Sequence, residues 1–236
     1  MPVNKPFYLI GHRGAAGERL ENSMEGFLHA LTLPIDAVEI DIRENGSNLW
    51  VFHDDTLDRV TTQSGNFDHC PNLAGVRLRN GEPIPSLRSL LDCYWGKMPL
   101  NIEIKSVANL PLLLDLLDGY PLPRTTQGLP WIFISAFDHT YLRDLTRLGC
   151  PWPLAPLNEA KPRKPQPLID EINPCSWHFG DEGVDLSVVA QLDRIGIPTL
   201  VYTVNDVERM KYLREHRVRG IFTDEPGKLL QALPET

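Results

Sequence analysis

The sequence predicts an α/β fold, a (β/α)8 TIM barrel with an inserted subdomain after its second strand. Eight short strand-like segments alternate with helical stretches along the 236 residues, the rhythm that builds parallel sheets. Gly149, Gly196 and Gly220 each fall between a helical stretch and the next strand, where a left-handed cap is expected. No glycine-rich phosphate fingerprint follows the first strand, which makes an open doubly wound sheet the weaker alternative.

The elements read in order. A first strand at 7–11 ends on Gly11, and a helix is expected at 23–33, with Asn22 followed by Glu25 in the spacing of a capping box. The second strand, at 37–43, leads into an interval that breaks the rhythm. Residues 54–99 are too many for one strand-to-helix loop. They contain the turn-like pairs Gly65-Asn66 and Asn80-Gly81 and a short apolar helix around 87–91. We read 1–236 as one barrel domain with its insertion at about 54–99. Strands at 101–105, 131–135, 153–157, 176–179, 199–203 and 220–223 complete the set, the fifth and sixth of the eight being the weaker. Helices are expected at 110–117, 139–148, 186–195 and 207–216, and the proline-rich stretch 156–174 reads as a long loop.

Composition excludes several classes. The hydrophobic fraction of 42% and charged fraction of 23% are those of a soluble globule. A formal net charge of −8 argues against nucleic-acid binding, which needs a basic surface. Lys161, Arg163 and Lys164 form the one conspicuous basic cluster and sit among prolines, as an exposed loop would. The N-terminus lacks the apolar core and cleavage site of a secretory signal, and no apolar run is long enough to anchor the chain in a membrane. Cys70, Cys93, Cys150 and Cys175 are scattered without CxxC spacing, as expected of reduced thiols. The expectation is a cytoplasmic protein without a stable membrane anchor; nothing in the sequence sets its oligomeric state.

The chemistry lies in charges that a buried strand should not carry. In AVEIDIR, Glu39 and Asp41 alternate with Val38, Ile40 and Ile42; in NIEIK, Glu103 and Lys105 alternate with Ile102 and Ile104. Alternation puts Glu39 and Asp41 on one strand face and Glu103 and Lys105 on another. Three carboxylates aimed inward repel one another unless a cation joins them. An all-oxygen set suits one divalent ion such as Mg2+ or Ca2+, with Mn2+ also suitable, rather than zinc. His12 and His53 follow neighbouring strand-like segments as candidate bases. One such segment alone would read as a solvated amphipathic strand; two, flanked by histidines, point to a metal-assisted site. Arg13 and Lys105 add cations suited to an anionic, phosphate-like substrate.

The sequence resembles the glycerophosphodiester phosphodiesterases, in particular the small cytosolic bacterial enzymes. The blocks that carry the resemblance are GHRGAAGERLENSMEGF, AVEIDIRENG, FHDDTLDRVT, IPSLRSLL, NIEIK, ISAFD, LVYTVN and FTDEP, spread over nearly the whole chain. The resemblance implies a barrel whose insertion corresponds to 54–99, metal ligands Glu39, Asp41 and Glu103, a catalytic acid–base pair His12 and His53, and phosphate contacts from Arg13 and Lys105. Glu21 and Asn22 occupy an E-N-T motif in which Ser23 replaces threonine, although Asn22 is equally a helix cap; Lys105 could be a structural partner of Glu103, but its place beside a metal-bound carboxylate favours phosphate contact. Ala136 stands where many members have serine, and Tyr202 where many have tryptophan. Tyr202 and Trp177 are candidate substrate contacts, and the segment 177–185, which fits the family least, is expected on the leaving-group side. The implied reaction converts small glycerophosphodiesters, the deacylated phospholipids, to sn-glycerol 3-phosphate and an alcohol, with the glycerol 2-hydroxyl as the implied nucleophile. A lysophospholipase D-like activity and a non-catalytic phosphate-binding barrel are the alternatives.

Overall fold

A computed structural model describes residues 7–120, 128–159, 162 and 164–232. The first four strands in the chain are β1 (Tyr8–Gly11), β2 (Ala37–Asn45), β3 (Asn48–Val51) and β4 (Leu100–Ser106). They are followed by β5 (Ile132–Ala136), β6 (Leu154–Asn158), β7 (Trp177–Gly180), β8 (Thr199–Tyr202) and β9 (Gly220–Thr223). All but β3 run parallel in the order β1-β9-β8-β7-β6-β5-β4-β2, and pairing of Ile10 with Ala37 joins β1 to β2. The result is a closed eight-stranded TIM barrel.

Period-two alternation divides the strands between two compartments. Ile40, Ile42, Ile102, Ile104 and Ile134 face outward into a main core shared with the helices. Ile10, Ala37, Phe133, Ala155, Leu200 and Phe222 form a separate cluster that fills the barrel interior. The helices are α1 (Met24–Ala30), α2 (Leu87–Tyr94), α3 (Leu110–Asp118), α4 (His139–Arg147), α5 (Gln166–Ile172), α6 (Leu186–Arg194), α7 (Val207–Glu215) and α8 (Pro226–Leu230). Their apolar stripes meet the strands: Leu113 and Leu117 from α3, Leu142 and Leu145 from α4, and Met210 and Leu213 from α7 are all fully buried.

Several expectations change. β2 runs on past residue 43 and turns through Gly46, at φ 63°, into the antiparallel strand β3, so Trp50 and Val51 lie in a hairpin. The buried residues of 54–99 divide between two cores. Phe52, Leu57, Val60, Phe67, Leu73, Val76, Leu78 and Ile84 form a small core of their own, with Phe52 stacked on Phe67 at 4.9 Å. α2 instead buries Leu87, Leu90, Leu91 and Tyr94 in the main core, as a barrel helix does. The stretch 156–174 is not one loop: β6 reaches Asn158, and α5 forms with Pro167 in its first turn, where no backbone donor is missed. Leu168 and Ile172, four residues apart, are its buried face. Asn22 does not cap α1. Ser23 does, accepting from the Gly26 amide at 3.0 Å.

Residues 1–6 of the N-terminus, and Lys161 and Arg163 of the basic cluster, lie outside the described residues. Among the described residues no helix is long and apolar enough to cross a membrane. All four cysteines are free thiols.

Candidate active site

The site is built on the ends of β1, β2 and β4. In register, Asp41 lies beside Glu103 across the β2–β4 pair, and Glu39 lies one pleat below Asp41. One carboxylate oxygen from each of Glu39, Asp41 and Glu103 lies within 4.8 Å of the others, and all three residues are buried. Ligands on opposite sides of one ion are about 4 Å apart for Mg2+ and about 5 Å for Ca2+, so the spacing fits a single hard cation. Glu39 Oε1 is buried without any hydrogen-bond partner among the described residues, an expensive arrangement that an ion would relieve.

The electrostatics point the same way. Burial, with Asp41 and Glu103 alongside, pushes the Glu39 carboxyl well above its usual range. Burial and Asp41 raise Glu103 to about 7. Asp41 behaves oppositely: burial acts to raise it, but Lys105 and Arg13 outweigh that and hold it at about 2. Lys105 Nζ is 3.2 Å from Asp41 Oδ1 and also pairs with Glu103. Two cations against three carboxylates leave the cluster short of positive charge. The donor set therefore fits a divalent ion.

Both histidines are oriented by carboxylates. His12 Nδ1 is 2.7 Å from Asp224 Oδ1, and its Nε2 is 4.0 Å from Glu39 Oε2. His53 Nδ1 is 2.6 Å from Asp54 Oδ1. A carboxylate can only accept, so each Nδ1 carries the proton and each Nε2 is available for proton transfer. Asp224 is itself fixed by Asn205, whose Nδ2 donates to Oδ2 at 2.8 Å and whose Oδ1 accepts from the Asp224 amide at 2.8 Å. Burial acts to raise the Asp224 carboxyl, but the hydrogen bonds from His12 and Asn205 prevail and hold it low. Burial pulls His53 below its usual pKa, and Asp41 and Asp54 oppose this only in part.

Arg13 adopts a left-handed backbone, φ 50°, that turns its amide onto Glu39 Oε2 at 2.9 Å. Its side chain reaches Glu21 at 2.8 Å and Asp41 at 3.1 Å. Glu21 also receives Arg59 of the insertion, which donates in addition to Asp54 at 2.7 and 2.9 Å. These groups open on a cavity of about 200 Å3 lined by His12, Arg13, Glu39, His53, Glu103 and Lys105, and on its far wall by Phe137, Leu157, Glu159, His178, Tyr202 and Phe222.

The description of the glycerophosphoryl diester phosphodiesterase family matches this chain over residues 12–228. The chain belongs to that family. A glycerophosphodiester phosphodiesterase of Caldanaerobacter subterraneus is 26% identical over 238 residues, covering 94% of this chain and 96% of the relative. An Oleispira antarctica phosphodiesterase, solved in complex with the product sn-glycerol-3-phosphate, superposes with a TM-score of 0.86 at 24% identity, covering 97% of this chain and 96% of the other. A lysophospholipase D of Mus musculus is 45% identical over 112 residues, 41% of this chain and 35% of its own length.

In this phosphodiesterase the fold gathers His12, His53, Glu39, Glu103, Arg13, Lys105 and Tyr202 around one cavity, with Asp41 buried beside Glu39 and Glu103. Three candidates fall elsewhere. Trp177 faces outward from β7, fully buried and stacked on Phe179, with its indole nitrogen donating to Asn158 at 2.8 Å; the cavity-facing residue of that strand is its neighbour His178. Glu21 and Asn22 stand behind the lining. Glu21 is held by two arginines, and Asn22 donates to Asp41 Oδ2 at 2.8 Å. Sequence reasoning missed Asp54, Asp224, Asn205 and Arg59. All four sit in the blocks that carry the family resemblance, and the only further signal is that a histidine base needs an acceptor to orient it.

Proposed function

We propose that this phosphodiesterase binds one divalent cation, Mg2+ or Ca2+, on Glu39, Asp41 and Glu103, and cleaves glycerophosphodiesters with His12 and His53 as general acid and base. The products are sn-glycerol 3-phosphate, the ligand of the Oleispira antarctica relative, and the headgroup alcohol. The observation that carries this is a pair of carboxylate-oriented imidazoles facing the same cavity as an under-neutralised triad of buried carboxylates. When bound, the cation offsets charge developing on the phosphoryl oxygens. Arg13 and Lys105 hold the diester by its non-bridging oxygens. One histidine Nε2 takes the proton of the attacking oxygen, and the other Nε2 gives a proton to the departing alcohol.

The test separates metal binding from turnover. Chelated protein is titrated with Mg2+, Ca2+ or Mn2+ while both the thermal midpoint and hydrolysis of glycerophosphodiesters and of lysophosphatidylcholine are followed. An ion at a hundred times its Kd adds about 2.7 kcal/mol of stability, and Glu39→Gln should abolish that shift while leaving the metal-free midpoint unchanged or higher, since it removes a carboxyl whose charged form burial, Asp41 and Glu103 disfavour. Full turnover in chelator with no ion-dependent midpoint shift would end the metal assignment. Preferred cleavage of the lysophospholipid would favour the activity named for the Mus musculus relative.

A further inference from the structure

We propose that the far end of the cavity is an anionic, aromatic corner that selects diesters whose leaving alcohol carries an ammonium group. This rests on the phosphodiesterase reading above and names the substrate class it favours. The strand order places β6, β7 and β8 across the barrel from β1, β2 and β4. Cationic side chains and the carboxylate triad therefore occupy one side, and Glu159, which follows β6, stands on the other with Tyr202 of β8.

Glu159 lines the cavity yet makes no hydrogen bond or ion pair with any described residue, and it is not part of the carboxylate triad. Gly180 on β7 leaves room for it: a Cβ there would come within 2.7 Å of Glu159 Oε2. Two rings complete the corner. Phe137, 39% exposed, stands nearly perpendicular to Tyr202 with centroids 5.7 Å apart. Phe137 also has the Lys105 ammonium 5.4 Å from its centroid, so its ring stands where the cationic side meets this corner. A carboxylate unpaired among the described residues, in a corner with two rings, is the chemistry that recognises an ammonium or a quaternary amine. A diester bound with its phosphate at Arg13 and Lys105 then extends its headgroup toward Glu159. The two ends of the cavity match the two charges of such a zwitterion.

The experiment compares kcat/KM of the metal-loaded enzyme for glycerophosphoethanolamine and glycerophosphocholine with that for the uncharged-headgroup diester glycerophosphoglycerol. The wild type should favour the cationic headgroups by roughly three- to tenfold, as an exposed charge pair and cation–π contact supply, with the preference shrinking as salt is raised. Glu159→Gln should remove most of this preference through KM and make the ratio insensitive to salt; Phe137→Leu should reduce it. Equal rates for all three diesters in the wild type, or an unchanged ratio in Glu159→Gln, would overturn the inference and leave the phosphodiesterase reading intact. Failure of the wild type to cleave any of them would overturn both.

Discussion

Replacing Asp224 by asparagine tests the catalytic assignment at a residue that contacts no metal ligand. In the wild type one carboxylate oxygen faces His12 Nδ1 at 2.7 Å and the other accepts from Asn205 Nδ2 at 2.8 Å. An amide cannot serve both. If its NH2 faces Asn205, two donors meet. If its NH2 faces His12, Nδ1 must accept, the ring proton moves to Nε2, and the nitrogen facing the cavity is no longer a base. Either orientation loses one charge-assisted hydrogen bond, worth about 1.5–3 kcal/mol, plus the anion's support for a protonated imidazole. At 1.36 kcal/mol per decade, we expect kcat/KM to fall about 10- to 100-fold from the bond alone and further from the tautomer. The assay is coupled detection of sn-glycerol 3-phosphate release at saturating metal, with an ion-binding isotherm as control, because metal affinity should change little. Near-wild-type turnover across pH would refute the assignment of His12 as a proton-transfer group.

Three further outcomes are expected. Arg59→Ala should lower kcat/KM about tenfold while changing global stability by less than about 1 kcal/mol, since the arginine is half exposed; a stability loss matching the activity loss would make it merely structural. Burial pushes His178 down to about 3, against about 6.5 in an unfolded chain. The unfolded state therefore takes up the proton first, and stability declines as pH falls below 6.5 until the folded pKa is reached. Unfolding free energies from denaturant titrations at pH 7 and 4.5 should differ by about 2–3 kcal/mol more in the wild type than in His178→Gln, and an equal difference in the two proteins would exclude this. A substrate analogue lacking the glycerol 2-hydroxyl should bind and inhibit competitively without being cleaved, as intramolecular attack requires; cleavage at the parent's rate would assign the attack to water.

The barrel was legible because β2 and β4 carry their chemistry in phase with their pleat: isoleucines every second residue point outward, which leaves Glu39, Asp41 and Glu103 one direction to face. The same periodicity was silent about β7. In the run Trp177, His178, Phe179 every residue is apolar or aromatic, so alternation cannot say which faces inward, and a shift of one residue exchanges Trp177 for His178. α5 was hidden by its prolines, which mark loops by composition but are tolerated in a first helical turn. The partners of the histidines were hidden for another reason. Asp224 is 212 residues from His12 in the chain, and only closure of β9 onto β1 brings them together. Asp54, adjacent to His53, was in view, but adjacency alone does not say which way a carboxylate turns.

The arginine at position 59 gives the insertion a hereditary consequence. Its guanidinium joins Glu21, from the loop after β1, to Asp54, at the mouth of the insertion. Glu21 in turn holds Arg13, and Asp54 holds His53. Residues from two regions of the chain thus share one hub, and neither region carries a finished catalyst. A different segment between β3 and α2 would form this hub only if it matched its Asp54 and Arg59 to Glu21 of the barrel. A segment that lacked Arg59 would leave Asp54 on His53 but untie it from Glu21 and Arg13.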